Sequence, residues 1–257
     1  MKLSISTAWD ETASFARREA RLLFPIAFLL LSLPSAILRT FAPAAGVGGL
    51  PRAGLWLLGV PVLLGASLVG ALAISHLALH RRASGGDALR AGLKRFLPLL
   101  CAALLVGLGG ALLTLPLLLF ISGMAAYAGD SLIVAWLGLL ALIWLLIVLF
   151  FWVRLMLMTP AAAAEAIGPI ALIRRSWRLT RGHFWRLLGF VLLVTIVSLV
   201  VLIAVGAIGG IAITLAAGRP EPGNVAMLLL LIGAALIQAV ISGLFTVFVA
   251  RIYAQLA

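Results

Sequence analysis

Few side chains in this sequence carry the chemistry of an active site. Among 257 residues there are 3 histidines, 7 Asp and Glu together, and 1 cysteine. His76 and His80 stand four apart, which puts both imidazoles on one helical face, where they could share a metal ion or a proton. No acid or cysteine accompanies them nearby in sequence, and anchoring at a membrane surface is their alternative role. A catalytic reading requires these two to converge with His183 or Glu165. His183 sits among arginines and can contact phosphate when protonated. Glu165 precedes an arginine-rich segment and is expected to pair with an arginine or cap a helix. Cys101 lies in an apolar run with no partner for a disulfide or a metal cluster. The sequence has no phosphate-binding glycine loop followed by lysine, and no His-Glu-x-x-His, Gly-x-Ser-x-Gly or Cys-x-x-Cys pattern. The expectation is a noncatalytic protein with no metal set and no cofactor site.

The densest chemistry is basic. Residues 174–190 hold five arginines and two tryptophans: Arg174, Arg175, Trp177, Arg178, Arg181, Trp185 and Arg186, with His183 between them. These eight named residues are the candidate contacts for a lipid headgroup. A net charge of +12 would by itself also fit a nucleic acid. Where the charges fall decides against that.

The chain that positions them is 65% hydrophobic and only 10% charged, with a mean hydropathy of +1.27. A soluble domain is nearer a quarter charged. Crossing about 30 Å of hydrocarbon takes roughly 20 apolar residues, and six segments qualify: 22–38, 55–79, 96–120, 132–158, 187–216 and 225–250. The expected fold class is an all-α integral membrane protein with six transmembrane helices. The first segment has acids before it and no small-residue cleavage site after it, so it reads as a retained span.

Of the 19 lysines and arginines, 16 fall before span one, between spans two and three, around the loop between spans four and five, or after span six. Arg39, Arg52 and Arg219 alone fall on the other side. The positive-inside rule then puts both termini in the cytoplasm. The basic charge becomes a topology signal and an attraction to anionic lipid, and nucleic acid is not an expected partner.

The basic segments share a design. Thr7 with Asp10 and Ser84 with Asp87 have capping-box spacing, and Pro169 after Gly168 fits a first helical turn. Each candidate start leads through basic residues into a span. This predicts three repeats of an interfacial helix plus a two-span hairpin, at 1–79, 84–158 and 166–254 of a single domain. In the third, Ala166, Ile170, Ile173 and Trp177 fall on one narrow stripe, with Arg174, Arg178 and Arg181 beside it and Arg175 at the far edge. Thr180 and Gly182 mark a break. Such a helix rests on a membrane surface with its arginine stems snorkelling. Alternatively, the arginines only fix topology and Trp185 anchors span five.

Within the spans no Asp, Glu or Lys lies deep, which argues against a proton-coupled transporter. Arg154 is near the basic end of span four, where it can snorkel. Gln238 is expected to hydrogen-bond between helices. Gly107, Gly109 and Gly110, and the glycines at 206, 209 and 210, are expected to permit close helix contact.

Arg154-Leu155, Pro160, Ala164 to Ala166, Gly168-Pro169, and above all Ser176-Trp177-x-Leu179-Thr180-x-Gly182 resemble a group of bacterial six-span proteins, the glycerophosphodiester phosphodiesterase membrane-domain family. The likeness is carried by 154–186, and the span layout agrees over most of the chain. It implies a bacterial inner-membrane protein. Some relatives carry a soluble phosphodiesterase barrel after this domain; that barrel is expected to be absent here, so no activity is implied.

The leading expectation is a noncatalytic protein of the cytoplasmic membrane that binds membrane lipid, anionic phospholipid in particular, or a membrane protein partner, through its arginine-rich face. The alternatives are a transporter or channel for lipid-like or weakly polar molecules, and, behind it, a membrane enzyme acting on lipid headgroups.

Overall fold

The structure is a computed structural model that describes residues 4–36, 59–80, 84–125, 131–218 and 224–257. The expectations attached to Lys2, Arg39, Arg52, Arg81, Arg82 and Arg219, and the start of the second span, lie outside these residues. In order the helices are α1 (Ile5–Ile26), continuing into a π-helical segment (Ala27–Ser32), then α2 (Gly59–Leu79), α3 (Gly85–Ala125), α4 (Ser131–Leu155), α5 (Met158–Ala164), α6 (Pro169–Thr180), α7 (Phe184–Ala217) and α8 (Val225–Leu256). No strand occurs among the described residues. Six helical stretches are long and apolar enough to cross a membrane, including Ser6–Ala36 and Ile133–Ala164. The protein is all-α with six membrane-spanning helices, as its hydropathy requires.

The helix starts follow their capping chemistry. Ser84 and Asp87 form a reciprocal box: Ser84 Oγ accepts from the Asp87 amide at 3.2 Å and donates to Asp87 Oδ2 at 2.7 Å. Pro169 occupies the first turn of α6, where its missing N–H costs nothing. The expected box at Thr7 and Asp10 is not the start of α1. Ser4 is the N-cap and its hydroxyl accepts from the Thr7 amide, so the helix begins one turn earlier.

The basic segments differ from one another. α1 runs on into the first span through Pro25 and the π-helical turn. α3 is one helix of 41 residues, about 60 Å at 1.5 Å per residue, twice the hydrocarbon thickness. Only α6 is a separate short helix. A turn at 181–183 divides it from α7, and Gly182 there has φ of +93°. A side chain at that angle would meet its own backbone, so the break requires glycine.

Burial is concentrated at the basic end. Leu72, Leu99, Val153, Leu157, Leu172, Leu187, Phe248 and Ile252 are all buried there. They are joined by α5, whose Ala161, Ala162 and Ala163 are buried against α2 and α3. Span four therefore does not continue to Met158 as one helix. The α-helix ends at Leu155, a turn follows, and α5 then packs into the core. Pro160 followed by a run of alanines was the available signal for a second short helix.

Close helix approach occurs near this end, at Gly70, one of the span-two glycines whose sequence position suggested kinking or packing, and at Gly92, and not at the glycines of spans three and five. A Cβ on Gly70 would lie 2.7 Å from Leu30 Cβ and would meet Leu31 as well; one on Gly92 would lie 3.1 Å from the Val69 carbonyl oxygen. At Gly107, Gly109, Gly110, Gly206, Gly209 and Gly210 an added Cβ meets nothing described within 4 Å. α3, α4 and α7 are packed at their basic ends and exposed along the rest of their length, so those glycines open space and do not close contacts. Gln238 is likewise exposed on α8 and makes no interhelical hydrogen bond among the described residues. The helix turns its amide away from its neighbours.

Gly92→Val should therefore lower the melting temperature of the detergent-solubilised protein by an amount matching about 1–3 kcal/mol. Gly209→Ala should leave it unchanged or raise it, since alanine favours helix by about 1 kcal/mol.

Candidate functional site

α4 ends at Leu155, so its last carbonyls have no partner within the helix. Ser176 of α6 is fully buried and its Oγ donates to the Arg154 carbonyl at 2.7 Å. The side chain of Arg154 is gripped by the same helix. Its guanidinium carbon lies 5.1 Å from the Trp177 ring centroid, 5.3 Å from that of Phe150 and 5.4 Å from that of Phe184. One Nη reaches Thr180 Oγ1 at 3.5 Å, while Nε is buried without a hydrogen-bond partner. Three aromatic faces thus carry most of the burden of a partly desolvated cation, at about 0.5–2 kcal/mol each. Arg154 does not simply snorkel to water. Thr180 is buried too and returns its hydroxyl to the Ser176 and Trp177 carbonyls.

A second tie fixes the start of α6. One oxygen of Glu165, Oε1, accepts from Arg175 Nε and Nη2, both at 2.9 Å, and from the Tyr253 hydroxyl at 2.5 Å. The Tyr253 hydrogen bond, then that of Arg175 and its charge, outweigh burial and hold the Glu165 carboxyl below its ordinary 4.5. Glu165 therefore pairs with an arginine, as its position suggested, and it also links α6 to the end of α8. Elsewhere Arg95 donates to the Ala162 carbonyl at 3.0 Å, and Arg251 lies 3.9 Å from Glu11 and over the Phe15 ring.

With those contacts made, the outward face of α6 is determined. Leu172, Ser176 and Thr180, four residues apart, face the core. On a helix at 100° per residue, Arg174, Arg178 and Arg181 then lie on the opposite side, and all three are exposed. The apolar stripe expected to rest on a membrane surface is not the face that packs against the protein. Ala166 lies before the helix, Ile170 is 66% exposed, and Ile173 and Trp177 are half-buried. The core-facing residues include two hydroxyls, which a hydrophobic stripe could not reveal. Ile170, Ile173, Arg174, Trp177, Arg178 and Arg181 line an open hollow of 370 Å³ with an apolar floor.

Of the eight candidate headgroup contacts, the structure brings together Arg174, Trp177, Arg178 and Arg181. Arg175 is turned inward to Glu165. His183 is the half-buried N-cap of α7, and Trp185 (80% exposed) and Arg186 project from the first turn of that helix. None of these four lines the hollow. Sequence reasoning did not single out Ser176, Thr180, Phe150, Phe184 or Tyr253 as partners, although the Ser-Trp-x-Leu-Thr-x-Gly motif contained the first two.

The His76 and His80 rings stack with centroids 4.2 Å apart. No group of three His, Cys, Asp or Glu side chains that could hold a metal occurs among the described residues, and Glu165 is held by Arg175 and Tyr253. Cys101 is half-buried and unbonded.

The fold and this site define an integral membrane protein that displays an arginine ridge on a short helix between spans. The model of a family described as a domain of unknown function (DUF7847) matches residues 3–256, and the chain belongs to that family. No curated protein and no solved structure matches it. Nothing in the family match links it to the glycerophosphodiester phosphodiesterase membrane domain.

Two outcomes follow from these ties. Ser176→Ala should cost about 1 kcal/mol by leaving the Arg154 carbonyl without its donor, read as a lower melting temperature in detergent. Because the Glu165 carboxyl is depressed in the folded state, its contribution is complete above pH 4.5 and fades as pH falls through the lower, folded value. Melting curves of Glu165→Gln should converge on those of the wild type as pH is lowered through that window.

Proposed function

We propose that this is a noncatalytic bacterial protein of the cytoplasmic membrane, with its basic end and both termini on the cytoplasmic side, that binds anionic phospholipid through Arg174 and Arg178 of α6 and Arg181 at its C-cap. The single observation that supports it is how the arginines of this region are divided. Arg95, Arg154, Arg175 and Arg251 are engaged with backbone, aromatic rings or carboxylates. Arg174, Arg178 and Arg181 are exposed together around a hollow with Trp177 at its side. Guanidinium groups bind phosphate oxygens in paired, directional hydrogen bonds, and an indole suits the boundary between headgroup and hydrocarbon. Topology requires positive charge on this side of the membrane but does not require three arginines at one hollow. The proposed kinship with the glycerophosphodiester phosphodiesterase membrane domain rests on the same segment and adds no catalytic step.

Native mass spectrometry of the detergent-solubilised protein with phosphatidylglycerol or phosphatidylcholine tests this. The wild type should retain phosphatidylglycerol preferentially. At about 1 kcal/mol per basic residue near an anionic surface, changing Arg174, Arg178 and Arg181 to Ala should weaken retention roughly a hundredfold. Arg186→Ala, outside the hollow, should change it little. Equal retention of the two lipids by the wild type would overturn the reading.

A further inference from the structure

The arginine hollow does not stand alone. Ile173 and Trp177 line it, and the same two side chains close the basic end of an apolar crevice of 530 Å³ between α3 and α4. The crevice follows α4 from Trp144 to Leu155, about 16 Å of helix and so about the depth of one bilayer leaflet. Its α3 wall is lowered by Gly109 and Gly110, where an added Cβ would meet nothing described within 4 Å. Thr114 on that wall returns its hydroxyl to the Gly110 carbonyl at 2.6 Å, which leaves the surface apolar. Trp177 at the junction is held in place by Arg154, Phe150 and Phe151, so the hollow and the crevice adjoin along a fixed wall.

We infer that one phospholipid occupies both spaces, its phosphate against Arg174, Arg178 and Arg181 and one acyl chain in the crevice between α3 and α4. This rests on the lipid reading above and extends it from a charged surface to a defined site. Charge complementarity selects the occupant. A second apolar crevice of 520 Å³ lies between α7 and α8, but its lining includes Ser6 and Trp9 and no arginine. The two are alike in volume and polarity of their walls, and only one opens beside a cluster of cations. An apolar void at membrane depth admits hydrocarbon; arginines at the mouth require that the hydrocarbon belong to an anionic lipid.

The test compares long-chain with short-chain phosphatidylglycerol by native mass spectrometry on the full chain. The wild type should prefer the long-chain form by about tenfold or more, since only that form fills the crevice. Gly110→Leu and, separately, Val148→Phe should abolish that preference while leaving retention of the short-chain lipid intact, which also reports that the fold survives. Ser198→Leu, in the crevice without arginines, should keep the preference. Changing the three arginines to Ala should reduce retention of both forms. If both crevice variants keep the wild-type preference, or if the crevice proves to be filled by a second copy that these variants release, the site proposed here is overturned while the headgroup reading stands. If the wild type does not distinguish phosphatidylglycerol from phosphatidylcholine, the headgroup reading fails and this one with it.

Discussion

A cation at the end of a membrane span must be held by something other than aliphatic hydrocarbon, and Arg154 is held where the short helix α6 meets α4 and α7. Its carbonyl takes the Ser176 hydroxyl, and its guanidinium sits among Phe150, Trp177 and Phe184. The rest of the basic end depends on that pairing. It sets the rotation of α6, which sets which arginines face out. It also fixes Trp177 as the wall shared by the hollow and the α3–α4 crevice. Gly182 then releases the chain into α7 through a backbone angle that only glycine adopts without strain.

The molecule is unevenly packed along its spans. At the basic end, glycines such as Gly70 and Gly92 let helices approach, and the alanines of α5 fill the space between α2 and α3. Farther along, α3, α4 and α7 present leucine, isoleucine and valine outward. In water such surfaces would collapse together. In a bilayer the lipid tails are as apolar as the side chains, so nothing drives closure except packing and interhelical hydrogen bonds. Both are concentrated where the polar residues are, and crevices open next to them, between α3 and α4 and between α7 and α8.

Legibility in the sequence followed the same division. Runs of apolar residues in a chain that is 10% charged leave six spans as the only economical reading, because backbone polar groups in lipid must be paired within helices. Local capping was legible at Ser84 and Pro169, where donor and acceptor are near in sequence, and misread at Thr7 because a hydroxyl three residues earlier also fits. Glycines were misread in the middle of the spans, since the same residue marks a close contact or an open one depending on a neighbour far away in sequence.

What the sequence determined by itself was the fold class, the separation of charge from hydrocarbon, and the segment, 174–186, around which candidate headgroup contacts had to be sought. What only the tertiary structure decided was how that segment divides. Arg175 and Arg178 differ by three positions on one helix, yet one pairs with Glu165, which also accepts from Tyr253, while the other faces out. Helical spacing sets Arg175 at the far edge of the basic face, but it does not show that Glu165 and Tyr253 lie there. The rotation of α6 decides that, and it is set by hydrogen bonds and ring contacts to Arg154 and Tyr253, residues 22 and 88 positions from their partners.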